Sequence, residues 1–253
     1  MKYHLSSTHN ILNNKFLAHS YKFFSSLKQK WQTCYLCGCH SPKLICITCH
    51  HDMPFLFKEH NIFNTPHTRA ILQHPAIANK LVHDHIDHLF TPLAYQWPIS
   101  KLIKDLKFSK KLLLADYLAD LIAQQITFYS SPQDSIPEVI IPMPIHYKRY
   151  RARKYNQSYL IAKRLGLKLA LPVLSDICSR RINTQAQTEL TGNKRRKNTK
   201  EAFLCKPITE YEHVVILDDV VTTGATVNSL AHAIRCANPH IKIDVWAVAI
   251  SLS

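Results

Sequence analysis

The sequence predicts an α/β protein: a parallel sheet flanked by helices, preceded by a small N-terminal four-cysteine module. Three observations carry this. Apolar runs of strand length alternate with stretches of helical period from about Pro98 onward, the pattern of strands whose connections are helices. Val214-Val-Ile-Leu217 is apolar without interruption, as a central parallel strand buried on both faces must be. Five of the eight cysteines fall between Cys34 and Cys49, ahead of the regular region.

The elements follow in order. Residues 1–30 are polar with scattered aromatics and are expected to be a loose extension or a weak amphipathic helix. Residues 31–55 form the cysteine module, and 56–97 a histidine-rich connecting segment with little clear periodicity. The principal domain spans 98–253. Ile99, Leu102, Ile103 and Leu106, then Leu113, Leu114, Tyr117, Leu118, Leu121 and Ile122, recur at helical spacing and predict two helices or one broken helix. Pro137 to Pro142 reads as a short buried strand and Asn156 to Leu169 as a helix with a basic outer face. Residues 183–200 read as a long polar and basic loop. His213 to Leu217 is a strand, Ala225 to Ala237 a helix and Ile241 to Ile250 a final strand.

The net charge of +15 on 253 residues points to a polyanionic partner. The charge is also localised: residues 141–200 hold fifteen Lys and Arg but only Asp176 and Glu189 as acids. With 46% hydrophobic residues the chain can bury a real core, so global disorder is excluded. No apolar run matches a signal peptide, and none approaches the roughly 20 residues of a membrane-spanning helix. The reading is therefore a cytoplasmic protein without a membrane span, in which thiols are reduced and serve as metal ligands or buried side chains.

The densest chemistry lies after the 213–217 strand. Asp218 and Asp219 stand at its carboxyl end, followed by Val220-Val221 and then Thr222-Thr223-Gly224-Ala225-Thr226 leading into a helix. A turn entering a helix directs unpaired N–H groups and a positive dipole outward. Small residues let a phosphate reach those donors, and threonine hydroxyls add more. The carboxylates would repel a phosphate; they suit sugar hydroxyls or a bridging Mg²⁺. One Asp and one Thr would suffice for capping, so two acids and five small residues exceed that role.

Val214 to Thr226 resembles the 5-phosphoribosyl 1-pyrophosphate (PRPP) motif of type I phosphoribosyltransferases. The resemblance implies that fold, with Asp218 and Asp219 catalytic and holding the ribose hydroxyls. Thr222, Thr223, Gly224, Ala225 and Thr226 would then cradle the 5′-phosphate. From Cys34 onward the chain is also similar to the ComF family, linked to DNA uptake and natural transformation. The residues that carry this are the cysteine pairs, Ile103-Lys-Asp-Leu-Lys-Phe108, Pro142-Met-Pro144, Arg153-Lys-Tyr-Asn-Gln157, Arg180, Gln185, Leu190, Arg196-Lys-Asn198 and Phe203. Where the family usually has Arg-Gly-Phe-Asn-Gln, this chain has a lysine, Lys154, in place of the glycine.

A PRPP-dependent transferase must stabilise departing pyrophosphate, a task of positioning and electrostatics. Arg149, Arg151, Arg153 and Lys154, with Lys148, follow the strand ending at Pro142, where open α/β sheets bind ligands, and the resemblance makes this the pyrophosphate loop. A solvated basic helix start is the alternative. Lys194, Arg195, Arg196 and Lys197 match the position of a mobile flap; alternatively they grip single-stranded DNA, with Tyr147, Tyr150, Tyr155 and Tyr159 available for stacking.

Cys34-x₂-Cys37 and Cys46-x₂-Cys49 have the spacing of a structural zinc site. Cys39, His40 and His50 are competing ligands. Cys178, Cys205 and Cys236 read as isolated small core residues. His83, His85 and His88 with Asp84 and Asp87 are a weak alternative metal group. Two functions therefore stand: a Mg²⁺-dependent PRPP-binding protein transferring ribose-5-phosphate to an acceptor that the sequence leaves open, or a non-catalytic single-stranded-DNA-binding factor with a regulatory or vestigial PRPP site. Both place the chain in DNA uptake beside other competence or DNA-processing proteins.

Overall fold

The computed structural model describes residues 32–56, 81–129, 135–182 and 202–251. The expected 1–30 extension, most of the histidine-rich segment, and the basic loop with Lys194, Arg195, Arg196 and Lys197 lie outside them. The chain divides into two compact units, Met1–His51 and Asp52–Ser253.

In the first unit β1 (Gln32–Thr33) pairs antiparallel with β2 (His40–Ser41), followed by α1 (Ile47–His51). Gly38 takes φ 74° in the connecting turn, where a side chain would be strained.

The second unit holds β3 (His88–Phe90), β4 (Leu93–Ala94), α2 (Ile99–Phe108), α3 (Leu114–Tyr129), β5 (Val139–Pro142) and α4 (Tyr147–Arg153). It continues with α5 (Gln157–Leu169), β6 (Cys178–Arg180), β7 (Phe203–Cys205), β8 (His213–Val221), α6 (Ala225–Ala237) and β9 (Lys242–Ile250). Its main sheet is parallel, in the order β3–β9–β8–β5, with β4 also pairing β9. Helices flank it, so the α/β architecture is the expected one. β5 is buried throughout and β8 and β9 nearly so, which is why their sequences are apolar runs rather than alternations. Val139, Ile141, Val214, Ile216, Ile243 and Val245 pack with Val227, Leu230, Ala231 and Ile234 of α6. By alternation Ile140, Val215 and Leu217 point to the opposite face, where α5 packs on β5 and β8. α3 and α5 are joined by Arg164–Asp116 at 3.0 Å and Lys168–Asp120 at 2.5 Å.

Four features differ from the sequence reading. The 213 strand continues to Val221, because β9 pairs with it through Asp218↔Ala247, Val220↔Ala249 and Val221↔Ile250. Asp218 and Asp219 therefore sit inside the strand, not beyond it. The segment after Pro142, read as a loop with a solvated basic helix start as the alternative, contains α4: His146 Nδ1 accepts from the Lys148 amide at 3.3 Å at its start, and Lys154 N–H donates to Tyr150 O at 2.6 Å at its end. β3 and β4 lie where no periodicity was legible; strands of two or three residues are too short to show a period of two. Cys178 and Cys205, read as isolated, are joined in a disulfide, since the β6–β7 register sets them opposite one another with Cα atoms 4.2 Å apart.

The helical periodicity after Pro98 resolves into two helices, α2 and α3, separated by a turn in which Lys110 has φ 53°. Lys154 has φ 70°, ψ 4°. This is the position of the missing glycine, and the lysine there takes a left-handed backbone.

Candidate functional site

The two acids of β8 are buried, Asp218 at 8% exposure and Asp219 at 3%. Buried carboxylates need donors, and the neighbouring elements supply them. Asp218 Oδ1 accepts from Ser158 Oγ at 3.1 Å and from the Asp219 amide at 2.9 Å. Asp219 Oδ1 accepts from Gln157 Nε2 at 3.3 Å, and its Oδ2 is paired with the ammonium of Lys107 near the end of α2. Burial, reinforced by the neighbouring Asp219 charge, pushes the Asp218 carboxyl up to about 8.

Three guanidiniums share this neighbourhood. Arg153 Nη1 donates to Gln157 Oε1 at 2.9 Å and its guanidinium lies 4.9 Å from the centre of the Phe108 ring. Burial lowers the pKa of Arg153, against the attraction of Asp219. Burial also lowers that of Arg180, whose guanidinium lies 5.4 Å from the Phe203 ring and feels both Asp218 and Arg149. The charge of Arg149 acts on Arg153 and Arg180 alike. Lys107, Arg149, Arg153 and Arg180 thus stand against two acids, a balance that favours a multiply charged anion.

The path of the chain explains this convergence. Asn156 caps α5, its Oδ1 accepting from the Ser158 amide at 3.0 Å while its Nδ2 donates to Met143 O at 3.0 Å. That bond ties the start of α5 to the end of β5, so Gln157 and Ser158 face the neighbouring strand β8. Tyr155 Oη donates to Leu106 O, bringing the end of α2, and hence Lys107, to the same place.

After β8 comes the small-residue turn. Thr222 and Thr223 are exposed, Ala225 and Thr226 half-buried, and Gly224 is buried with φ 71°. A Cβ on Gly224 would meet Val82 O at 2.6 Å, so both conformation and space require glycine. Val82 N–H donates to Thr223 O at 2.9 Å. The first backbone bond of α6 is Asn228 N–H to Gly224 O at 2.9 Å, so the amides of Thr226 and Val227 precede the ladder at the helix N-terminus.

The remaining sequence candidates are placed as follows. Arg151 and Lys154 are exposed and Arg149 half-buried. Lys107, Gln157, Ser158 and Arg180 received no role in the sequence reading. All but Ser158 lie in stretches that carry the family resemblance, which was the signal available for them.

In the first unit Cys34, Cys37, Cys46 and Cys49 bring their sulfurs within 4.8 Å of one another, with Cys37 and Cys46 Sγ 3.7 Å apart. A tetrahedral thiolate site with metal–sulfur bonds of about 2.3 Å places its sulfurs about 3.8 Å apart, so the four fit a metal ion. Cys46 N–H donates to Cys34 Sγ at 3.3 Å and Cys49 N–H to Cys46 Sγ at 3.4 Å. Burial raises the Cys34 thiol, but bonds from the backbone at Cys37, Cys46 and Leu36 outweigh it and bring it to about 6. Cys39 and the nearby histidines are not in the cluster, and among the described residues no second group of three such ligands occurs, the 83–88 histidines included.

The chain is 34% identical to competence protein F of Haemophilus influenzae over 159 residues, covering 61% of this chain and 69% of that one. The chain belongs to the ComF family. This ComF-family chain is also 33% identical to the DNA utilization protein YhgH of Escherichia coli O157:H7 over 165 residues, 65% of this chain and 72% of that one. It is 32% identical to YhgH of Salmonella typhimurium over 159 residues, 62% and 70% of the two chains. No family model matches the chain. Among solved structures, adenine phosphoribosyltransferase of Leishmania tarentolae covers 66% of this chain and 77% of its own at 13% identity, with a TM-score of 0.34, too low to bear on the ligand. Among the described residues no helix is long and apolar enough to cross a membrane.

Proposed function

We propose that this ComF-family protein binds PRPP with Mg²⁺ and acts in the handling of incoming DNA, transferring ribose-5-phosphate to an acceptor. The observation that carries the reading is the buried Asp218–Asp219 pair on β8, flanked by cations and followed directly by the small-residue turn into α6. Asp218 and Asp219 accept the ribose hydroxyls. The turn Thr222 to Thr226 receives the 5′-phosphate at the helix N-terminus. Arg149, Arg151, Arg153 and Lys154, joined by Arg180, face the pyrophosphate. The acids already have Lys107, Gln157 and Ser158 as partners, so Mg²⁺ fits as a companion of the pyrophosphate rather than as a resident ion held by a protein cage. It supplies charge neutralisation on the leaving group. In the first unit Cys34, Cys37, Cys46 and Cys49 hold Zn²⁺, whose binding folds a segment with little core of its own. The assignment to DNA uptake draws on the names of the relatives.

Magnesium PRPP is expected to raise the melting temperature of the full chain, and Asp218→Ala with Asp219→Ala to abolish the shift. Absence of a shift in the parent protein rejects the reading.

A second reading has its own observation. α4 exposes Tyr147 at 58% and Tyr150 at 51%, with exposed Lys148 and Arg151 beside them. Aromatics interleaved with cations suit single-stranded DNA held by stacking and phosphate contacts, with the PRPP site regulatory. Binding that weakens steeply with salt, and that falls on Tyr150→Ala with Arg151→Ala while the PRPP shift persists, supports it. Affinity no greater than that of an unrelated basic protein excludes it.

A further inference from the structure

The donors and acceptors around Gln157 form one continuous line through the site. Its Oε1 accepts from Arg153 Nη1 at 2.9 Å, and its Nε2 donates to Asp219 Oδ1 at 3.3 Å. The orientation of the amide is fixed by its partners, because a guanidinium only donates and a carboxylate only accepts. Gln157 is 8% exposed and opens α5, where the Asn156 cap and the Asn156–Met143 bond pin its backbone. Arg153 is the last residue of α4, held by the Lys154 turn behind it and the Phe108 ring beside it. Its primary amide offers an acceptor to Arg153 and a donor to Asp219 without carrying a charge.

We propose that Gln157 is a positioning residue that couples Arg153 to Asp219, so that the site binds one molecule bearing both a pyrophosphate and a vicinal diol in preference to either fragment. This rests on the PRPP reading above and adds its basis of selectivity. An anion bound by Arg153 fixes the guanidinium, which fixes the amide and polarises its N–H toward Asp219. The carboxylate is then held in the orientation that accepts hydroxyls. A fragment that lacks the pyrophosphate leaves Arg153 free to turn and the acid less well ordered.

The test is calorimetric titration of the full chain, with Mg²⁺, against PRPP, ribose 5-phosphate and pyrophosphate. The proteins are the parent, Gln157→Met, Gln157→Glu, Arg153→Ala, and Arg153→Ala combined with Gln157→Met. The parent is expected to prefer PRPP to ribose 5-phosphate, and Gln157→Met to cut that preference by about 10-fold, within the usual range of coupling between neighbouring groups. The loss should fall on PRPP, with affinity for ribose 5-phosphate changing by less than about 3-fold. Gln157→Glu still accepts from Arg153 but donates nothing to Asp219, so it should lose the preference as well. The double variant should lose less PRPP affinity than the two single losses combined. A merely structural role would lower the melting temperature and leave the preference intact. Retention of the preference in both Gln157 variants, or strict additivity with Arg153→Ala, overturns the proposal while leaving PRPP binding standing. A parent that binds no PRPP overturns the underlying reading and this proposal with it.

Discussion

Lys107 near the end of α2 and Asp219 on β8 form an ion pair whose side chains are 20% and 5% exposed. Lys107 thus neutralises one of two adjacent buried acids. Removing one partner of a buried pair leaves the other charge uncompensated. Lys107→Met is expected to destabilise the fold by about 3 kcal/mol, and Lys107→Arg by less. Urea denaturation of the two variants checks this; equal, small losses would show the pair to be solvated.

Asp218 gives a pH dependence of definite sign. Its folded value, about 8, lies above the ordinary carboxyl value of 3.8. Between those values the folded state keeps a proton that the unfolded state has released, so the contribution of this group to stability falls as pH rises. Asp218→Asn stays neutral and escapes the loss. Its stability relative to the parent should grow between about pH 4 and pH 8 and level off above. Thermal denaturation across that range reads the difference directly; a flat difference contradicts the assignment.

Lys154 occupies a left-handed conformation that costs a side-chain-bearing residue about 1–2 kcal/mol. Lys154→Gly relieves this but gives back part of it as chain entropy, for a net gain of about 0.5–1 kcal/mol. A rise of a few degrees in melting temperature is expected. If the lysine also meets pyrophosphate, the same variant should weaken PRPP binding, so stability and affinity should move in opposite directions.

The four-cysteine cluster separates from its neighbours by metal content. Cys39→Ser is expected to retain one zinc per chain, and Cys46→Ser to lose it, by elemental analysis of the purified protein. Chelation should melt the Met1–His51 unit before the sheet unit. Full zinc in the Cys46 variant would move the ligand set to Cys39 or a histidine.

Much of the fold was legible because burial writes itself into sequence. β5 and β8, sealed on both faces, appear as apolar runs, and α6 was bounded at Ala225 and Ala237 by the glycine before it and the polar residues after it. β3 and β4 were not legible, since two or three residues carry no period and their place is decided by the edge of β9. α4 was legible only as the alternative, a solvated basic helix start, because its residues are mostly cationic and none is fully buried, so no apolar stripe marks it. The site divides in the same way. Asp218, Asp219 and the small-residue turn are contiguous in the chain and can be read as a motif. Lys107, Gln157 and Arg180 reach the acids only through tertiary contacts, and neither spacing nor composition shows where a single lysine or glutamine will point. The Cys178–Cys205 pair was missed for the same reason, as it depends on strand register alone.

The bond from Val82 to Thr223 and the fit of Gly224 beneath Val82 have a practical bearing on dissecting the molecule. A shortened protein beginning at Pro98 would keep every residue of the motif yet strip the strands that cover the β9 edge and the backbone that braces the turn. Such a fragment would expose an open edge prone to self-association. Its failure to bind a ligand would then report damaged scaffolding rather than the absence of a site, so binding is best measured on the whole chain.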